Sequence, residues 1–308
     1  MRRTPALLAA AALAALSLTA CASNATKTAA PAASKASFPA TAGGITVAAK
    51  PTHIVSLSAT ATDMLFAAGA GSQVVAVDTN SDYPSNAPKG TLDSYKPNVE
   101  AIAADNPDLV VISDDENKIK ESLTALKVPV YVAPAAVTIA DTYQQMTDLG
   151  TLTGNVSGAA AAIATEKSAI SQALAGLHSQ ATPLTYYYEL DNTYYSVTSK
   201  TFIGSLFAMA HMTNIADPSD ASGKAGGYPQ LSAETIIKAN PDLIFLADDQ
   251  CCKQSATTVA ARPGWSTLKA VQQSHVIAIP DDVASQWGTR VPQLVTAIVG
   301  ASNSITAS

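Results

Sequence analysis

The stretch "NPDLVVISDD" occupies Asn106 to Asp115, and 134 positions later "NPDLIFLADD" occupies Asn240 to Asp249. The flanks repeat as well: Glu100 and Ile102 ahead of the first copy recur as Glu234 and Ile236 ahead of the second. Each copy reads as a helix, a turn and a buried strand. Proline cannot continue the helical hydrogen-bond ladder, and the aspartate after it suits a turn. Helix, glutamate, turn and strand recurring in register imply two similar lobes.

The surrounding chain alternates short β-branched runs with helical patterns, the sign of parallel βαβ units. "HIVSLS" (His53 to Ser58), "VVAV" (Val74 to Val77), "DLVVI" and "VPVYV" read as strands. Between them fall helices: one over Ala59 to Ala70 opening on Thr60, a short one before Asn106, and one over Glu116 to Leu126. This is one α/β lobe, over 45–137. A helical segment follows over 138–180, pausing at Gly154 and Asn155 and resuming from Val156 to His178 in alanine-rich, helix-favouring sequence. At 1.5 Å per residue this second piece is about 35 Å long, a rod the width of a small domain. "TYYYEL", a helix over Thr201 to Met212, "AETIIKAN", "DLIFL", "TLKAV", "VIAIP" and a last helix build the second lobe over 181–308.

The N-terminus stands apart. Met1, Arg2 and Arg3 precede an apolar run from Ala6 to Leu16, the charged and apolar regions of a secretory leader over 1–20, too short to span a bilayer. "LTAC" (Leu18 to Cys21) resembles the bacterial lipobox, in which Cys21 receives the lipid. Export by the general or the twin-arginine route is left open, since the arginine pair lacks its usual flanks. Residues 21–44 carry almost no large apolar side chain and cannot offset their ordering entropy by burial, so they read as a lipidated flexible tether. With Cys21 lipidated, Cys251 and Cys252 remain as an adjacent pair that either closes a disulfide or stays as two thiols on a loop.

A formal charge of −6 argues against a nucleic-acid binder, which needs clustered Lys and Arg. Beyond Cys21 the chain holds two arginines, Arg262 and Arg290. No nucleophile elbow, phosphate loop or dinucleotide fingerprint is present, so the chain does not read as an enzyme.

The phrases "HIVSLSATATDMLFAAGAG", "VVAVDTNSDYP", "PNVEAIAADNPDLVV", "TFIGSLFAMA", "GYPQLSAE" and "PGWSTLKAV...HVIAIP", in this order behind a lipobox, resemble the cobalamin and iron-siderophore solute-binding proteins of ABC importers. The resemblance covers about Ile45 to Ala301. It implies an α/β fold of two Rossmann-like lobes bridged by one long rigid α-helix, with the ligand cleft between them. It further implies a monomer outside the cytoplasm, lipid-anchored to the cell membrane, that hands a small-molecule metal chelate to a dimeric ABC permease. The chelate, a corrinoid or a ferric siderophore, is cargo and not a catalytic cofactor.

Site residues follow from the same comparison. Glu100 and Glu234, with Asn98 and Ser232 as expected N-caps, fall in first helical turns, where the helix dipole alone favours a carboxylate. In the resembled family, glutamates at these positions dock onto arginines of the two permease subunits. Tyr83 in "SDYP" and Tyr228 in "GYPQLSAE" stand where corrinoid-binding relatives place aromatic cleft residues, and Tyr95 stands near a third such position. Tyr195, Trp265 and Trp287 are further ligand-binding candidates, each equally suited to a core. Strand carboxyl ends face the cleft in open α/β sheets, so Asp282 and Arg290 after "VIAIP" are placed to hydrogen-bond ligand amides, unless Arg290 pairs with a neighbouring acid.

Scarce arginine disfavours anionic citrate and catecholate complexes, and suits a nearly neutral corrinoid or hydroxamate siderophore, with "SDYP" leaning to the corrinoid. Two rivals remain. Bilobed relatives bind bare zinc or manganese, but His53, His178 and His275 do not converge and only His211 is expected near the cleft. Asp114 with Asp115, and Asp248 with Asp249, are more economically caps of the segments that follow than ligands of a hard cation. The other rival is a surface lipoprotein that uses the same fold for protein interaction.

Overall fold

The structure is a computed structural model that describes residues 37–305. The leader over 1–20, Cys21 and the tether as far as residue 36 lie outside the described residues. The described chain begins on a hairpin, β1 (Ala40–Ala42) and β2 (Ile45–Val47), turned on Gly43 and Gly44 with both glycines at positive φ. Glycine adopts that left-handed backbone without a Cβ clash. Phe38, Ala42 and Ile45 pack against the core of the N-terminal lobe. Residues 37–44 therefore belong to that lobe, which corrects the tether expected over 21–44; the Gly-Gly pair is a hairpin turn and Phe38 its apolar anchor.

The N-terminal lobe continues through β3 (Ile54–Leu57), α1 (Ala59–Ala67), β4 (Val74–Val77), α2 (Val99–Ala104), β5 (Leu109–Ile112), α3 (Ile119–Ala125) and β6 (Val130–Val132). Helix α1 is capped by Ser58, whose hydroxyl accepts from the Ala61 amide, two residues earlier than the sequence suggested. Two helices follow, α4 (Ile139–Leu152) and α5 (Val156–Ala175). The C-terminal lobe runs through β7 (Thr185–Glu189), α6 (Phe202–Met209), β8 (Thr213–Asn214), α7 (Ala233–Ala239), β9 (Leu243–Leu246), α8 (Ala256–Ala260), α9 (Lys269–Gln272), β10 (Val276–Ala278), α10 (Asp281–Ala284) and α11 (Val291–Ser304).

The two main sheets share one topology. The first is ordered β4-β3-β5-β6 and the second β8-β7-β9-β10, all pairs parallel. In each lobe the strands thus lie second, first, third, fourth. The doubled phrase supplies the third strand, β5 and β9, whose four residues are all buried.

The repeated residues explain themselves in place. Asn106 and Asn240 sit at φ 49° and 45°, the left-handed conformation that ends a helix and that asparagine tolerates best after glycine. The aspartate does more than turn the chain. Asp108 accepts from the Thr52 amide at 2.7 Å, the Thr52 hydroxyl at 3.0 Å and the His53 amide at 3.0 Å. Asp242 accepts from the Thr185 amide at 2.9 Å and hydroxyl at 2.7 Å. Each aspartate thereby clasps the start of its lobe's first strand to the start of the third.

Helix α4 packs Met146, Leu149 and Leu152 into the N-terminal core, so it belongs with that lobe. Helix α5 is the bridge. Its Ala162 and Ile163 rest on the N-terminal core, while Ile170, Ala173 and Leu174 join the C-terminal one. It ends at Ala175, with Gly176 at its C-cap, short of the His178 expected. The C-terminal core is aromatic: Phe207 stacks on Tyr186 at 4.0 Å and meets Phe245 edge-on at 4.8 Å between centroids.

Replacing Asp108 or Asp242 by alanine is expected to cost about 1–3 kcal/mol of unfolding free energy each, measured by urea denaturation, with the two costs adding because they lie in different lobes. Partial burial pushes the Asp242 carboxyl up, but its bonds from Thr185 and Lys269 outweigh this and hold it below the usual range. Its contribution is therefore complete above about pH 4 and is lost as the pH falls through the lowered value.

Candidate functional site

In a sheet ordered second, first, third, fourth, the chain changes direction between the first and third strands, and a crevice opens beyond their carboxyl ends. A cavity of about 600 Å³ lies there. The N-terminal lobe lines it with Leu57 at the end of β3 and Ser58 after it, Asp78 after β4, and Ser113 and Asp114 after β5; the C-terminal lobe adds Asp282, Gln286 and Trp287. Its size falls within the range of about 300–1,000 Å³ usual for small-molecule pockets.

The charge of this lining is one-sided. Asp78, Asp82, Asp114, Glu116 and Asp282 border the cavity, and among the described residues no lysine or arginine does. Ser58, Ala59 and Thr60 also border it, so the amino end of α1 faces the same space. Ser58 occupies one amide there, and the helix start otherwise presents N–H donors. The site thus offers carboxylate acceptors and amide donors together.

Three of the aromatic and polar candidates line the cavity directly: Tyr95, which is 75% exposed, Asp282 and Trp287. Tyr83 and Arg290 do not line it but meet beside Asp282. The Arg290 guanidinium lies 4.4 Å from the Tyr83 ring centroid, 3.6 Å from the Asp282 carboxylate, and donates to Gln286 Oε1 at 2.9 Å. Trp287 belongs to both lobes: it packs on each core, and its indole N–H donates to Gln145 Oε1 on α4 at 2.9 Å. A second cross-lobe contact joins α1 to the segment before α11, where Asp63 accepts from the Thr289 amide at 2.8 Å and hydroxyl at 2.5 Å.

Tyr195 and Tyr228 are half-exposed on two C-terminal loops that pair through a bridge between Tyr195 and Gln230, and neither lines the cavity. Trp265 is a correction. It is fully buried in the C-terminal lobe, against Tyr187 at 6.1 Å and Tyr194 at 5.6 Å, with the Arg262 guanidinium 4.6 Å above it. Nothing in "PGWSTL" distinguishes a ligand-facing tryptophan from one under an arginine. His211 is another correction: with His178 it lines a cavity beside Leu184, at the amino end of β7 and away from the cleft. Sequence reasoning missed Asp78, Asn80, Asp82 and Gln286; applying the strand-end rule to β4 would have found Asp78.

The acid pairs diverge. Asp115 accepts from the Lys120 amide at 2.8 Å, as a cap would, while Asp114 borders the cavity. The Asp248 side chain does not cap: its carboxyl oxygens are buried with no donor, and burial, then the Glu189 charge, push this carboxyl up to about 7. Glu189, at the end of β7, is itself buried and held by Arg262 through contacts of 2.5 and 2.7 Å. Cys251 and Cys252 carry free thiols with sulfurs 2.6 Å apart, on a loop whose Gln250 and Cys251 amides donate to Asp281. Among the described residues no group of three or more His, Cys, Asp or Glu is placed to hold a metal ion, and no helix is long and apolar enough to cross a membrane.

Glu100 and Glu234 are exposed in the first turns of α2 and α7. Their caps are as expected: Asn98 accepts from the Ala101 amide and Ser232 from the Thr235 amide. Backbone and Ser232 hydrogen bonds hold the Glu234 carboxyl below its ordinary value.

Two parallel α/β lobes, one bridging helix and an inter-lobe cavity define a solute-binding protein of the periplasmic type. Residues 54–283 match the periplasmic binding protein family, and the chain belongs to it. It is 27% identical over 258 residues to an uncharacterized ABC transporter substrate-binding lipoprotein, YvrC, of Bacillus subtilis, covering 80% of this chain and 78% of that one. It is also 27% identical over 272 residues to a cobalamin-binding protein of Halobacterium salinarum, covering 85% and 72%. The periplasmic heme-binding protein RhuT from Roseiflexus, solved in its apo form, superposes with a TM-score of 0.72 at 21% identity over 82% of this chain and 99% of that one, a likeness of fold.

Replacing Arg262 by leucine leaves Glu189 as an unpaired buried charge, and is expected to destabilise the protein by about 3–5 kcal/mol in denaturant unfolding. The double variant with Glu189→Gln is expected to recover part of that loss.

Proposed function

We propose that this chain is the extracytoplasmic solute-binding component of an ABC importer, anchored through lipid on Cys21, that captures a corrinoid and delivers it to the permease. The observation that carries the reading is the mixed character of the cleft: carboxylates and helix-terminal amides, with no cationic side chain among the described residues. Carboxylates accept from carboxamide N–H groups, and a helix start donates to carboxamide oxygens. A corrin ring is fringed with carboxamides and is near-neutral or cationic. Heme propionates and catecholate or citrate complexes are anionic and would meet five carboxylates without a guanidinium partner. A neutral ferric hydroxamate is the second choice.

In this reading Tyr95 and Trp287 give the ligand apolar faces, and Asp282 accepts from its amides. Arg290 holds Asp282 and backs Tyr83, while Tyr195 and Tyr228 meet the ligand from two further loops of the C-terminal lobe. The protein works as a monomer, and Glu100 and Glu234, one per lobe, dock onto the two halves of a permease dimer.

Isothermal titration against cobalamin, dicyanocobinamide, a ferric hydroxamate and heme checks the ligand. Both corrinoids are expected to bind more tightly than the other two, and absence of heat with either corrinoid rejects the assignment. Silence across the whole panel would favour the protein-interaction lipoprotein. Docking is tested separately: Glu100→Lys with Glu234→Lys is expected to abolish corrinoid uptake by cells while leaving affinity in solution unchanged, and undiminished uptake removes the role.

A further inference from the structure

On the side of the molecule where α1, the bridge α5 and the start of α11 meet, a groove of about 630 Å³ is floored by small residues: Ala68, Gly158, Ala161, Ala162 and Ala169, with Pro292 at its edge. Gly158 is required there, because a Cβ would strike the Ala68 carbonyl; its absence lets α5 close on α1. Among the described residues one charged side chain borders this groove. Glu166 is 3% exposed, and neither carboxyl oxygen has a hydrogen-bond partner.

An orphaned buried carboxyl is expensive. Left without partners it forgoes about 1–3 kcal/mol, and more when ionised. The neighbouring acid does not help, since Asp63 on α1 is already satisfied by Thr289. Lys167, the next residue on α5, is turned away over the Tyr143 ring of α4, 4.7 Å from its centroid. The molecule therefore holds an unmet demand for a cationic donor just beneath the wall of an apolar trough, where a small outward turn of the Glu166 side chain would present it.

The geometry points to a second binding site in this groove, for a small primary alkylammonium compound whose –NH₃⁺ pairs with Glu166 while its alkyl chain lies along the alanine floor. An ammonium group supplies three donors, enough for both carboxyl oxygens. The occupant would touch both lobes, since Thr289, Pro292 and Gln293 border the groove from the C-terminal side.

Proton linkage gives the site a signature. Burial, then the charge of Asp63, push the empty Glu166 carboxyl up to about 8. The other groups facing it are Tyr143, itself raised by burial and by Glu166, and Arg290, which acts on Asp63; Pro292 and Gln293 of α11 carry no charge. Binding requires the carboxylate, so affinity scales with the ionised fraction. For a carboxyl near 8, affinity is expected to be about 25-fold weaker at pH 6.5 than at pH 8.5, with a proton released on binding at the lower pH.

The test is titration of the full chain in detergent with n-butylammonium chloride, which stays cationic throughout this range, and with n-butanol as its neutral counterpart. One butylammonium per chain is expected, weakening with acid as stated, with butanol silent. Glu166→Gln and the groove-filling Ala161→Leu, which spares the carboxyl, are each expected to abolish binding, circular dichroism verifying their folds. Butanol binding as tightly as the amine, a pH-independent affinity, or undiminished binding to Glu166→Gln would each overturn the site. These titrations use ligand-free protein, so their outcome is independent of which chelate occupies the cleft.

Discussion

Helix α5 is seated in two hydrophobic cores at once, and every inter-lobe property depends on that seating. A helix of 20 residues spans about 30 Å, enough to rest Ile163 on one lobe's core and bury Ile170 in the other without a break. Because both ends are packed, the lobes cannot swing as bodies on a flexible strap. Any relative motion must bend the rod or slide its alanine-rich surface over a neighbour. Two polar contacts reinforce the constraint, Trp287 to Gln145 and Asp63 to Thr289. Both tie C-terminal segments to helices of the N-terminal lobe, so the cleft is largely formed before a ligand arrives, and little ordering entropy is charged against affinity.

Much of this was legible in the sequence, for a physical reason. Parallel strands buried on both faces must be continuous apolar runs, and the helices that cover them must start and stop at caps and prolines. The doubled phrase exposed two lobes because each lobe meets the same local demands: a left-handed asparagine, a helix-ending proline, and an aspartate that clasps the first strand. The aspartate was legible only in part. Its place in a turn follows from local chemistry, but its partners Thr52 and Thr185 lie 56 and 57 residues upstream. No local pattern records a hydrogen bond made across a sheet.

The site was less legible, and the failures share a cause. Tyr95 and Trp287, singled out by type and position, border the cavity, whereas Trp265 has the same type and a plausible position yet sits in the core. What separates them is three-dimensional: Trp265 lies under Arg262, and Arg262 lies there because Glu189, at the end of a strand 73 residues earlier, needs a partner. Gln145 shows the converse. Nothing about a glutamine in an amphipathic helix marks it as the residue that orients a tryptophan from the other lobe. The hairpin over 40–47 was overlooked because its residues are small, and its stability comes from what it packs against.

Arginine usage links the fold to the chemistry. Of the two arginines beyond Cys21, Arg262 is consumed inside the C-terminal lobe, where Glu189 and Asp248 would otherwise share a buried site with no counter-charge. Arg290 is held by Asp282, Gln286 and the Tyr83 ring. Neither guanidinium is left to face the cavity, so cleft electrostatics are set by carboxylates and by the start of α1. An anion entering this space would have to draw Arg290 away from Asp282, Gln286 and the Tyr83 ring, leaving Asp282 uncompensated. A neutral, amide-rich solute asks for no such rearrangement, because it takes hydrogen bonds from the helix start and gives them to the carboxylates as they stand.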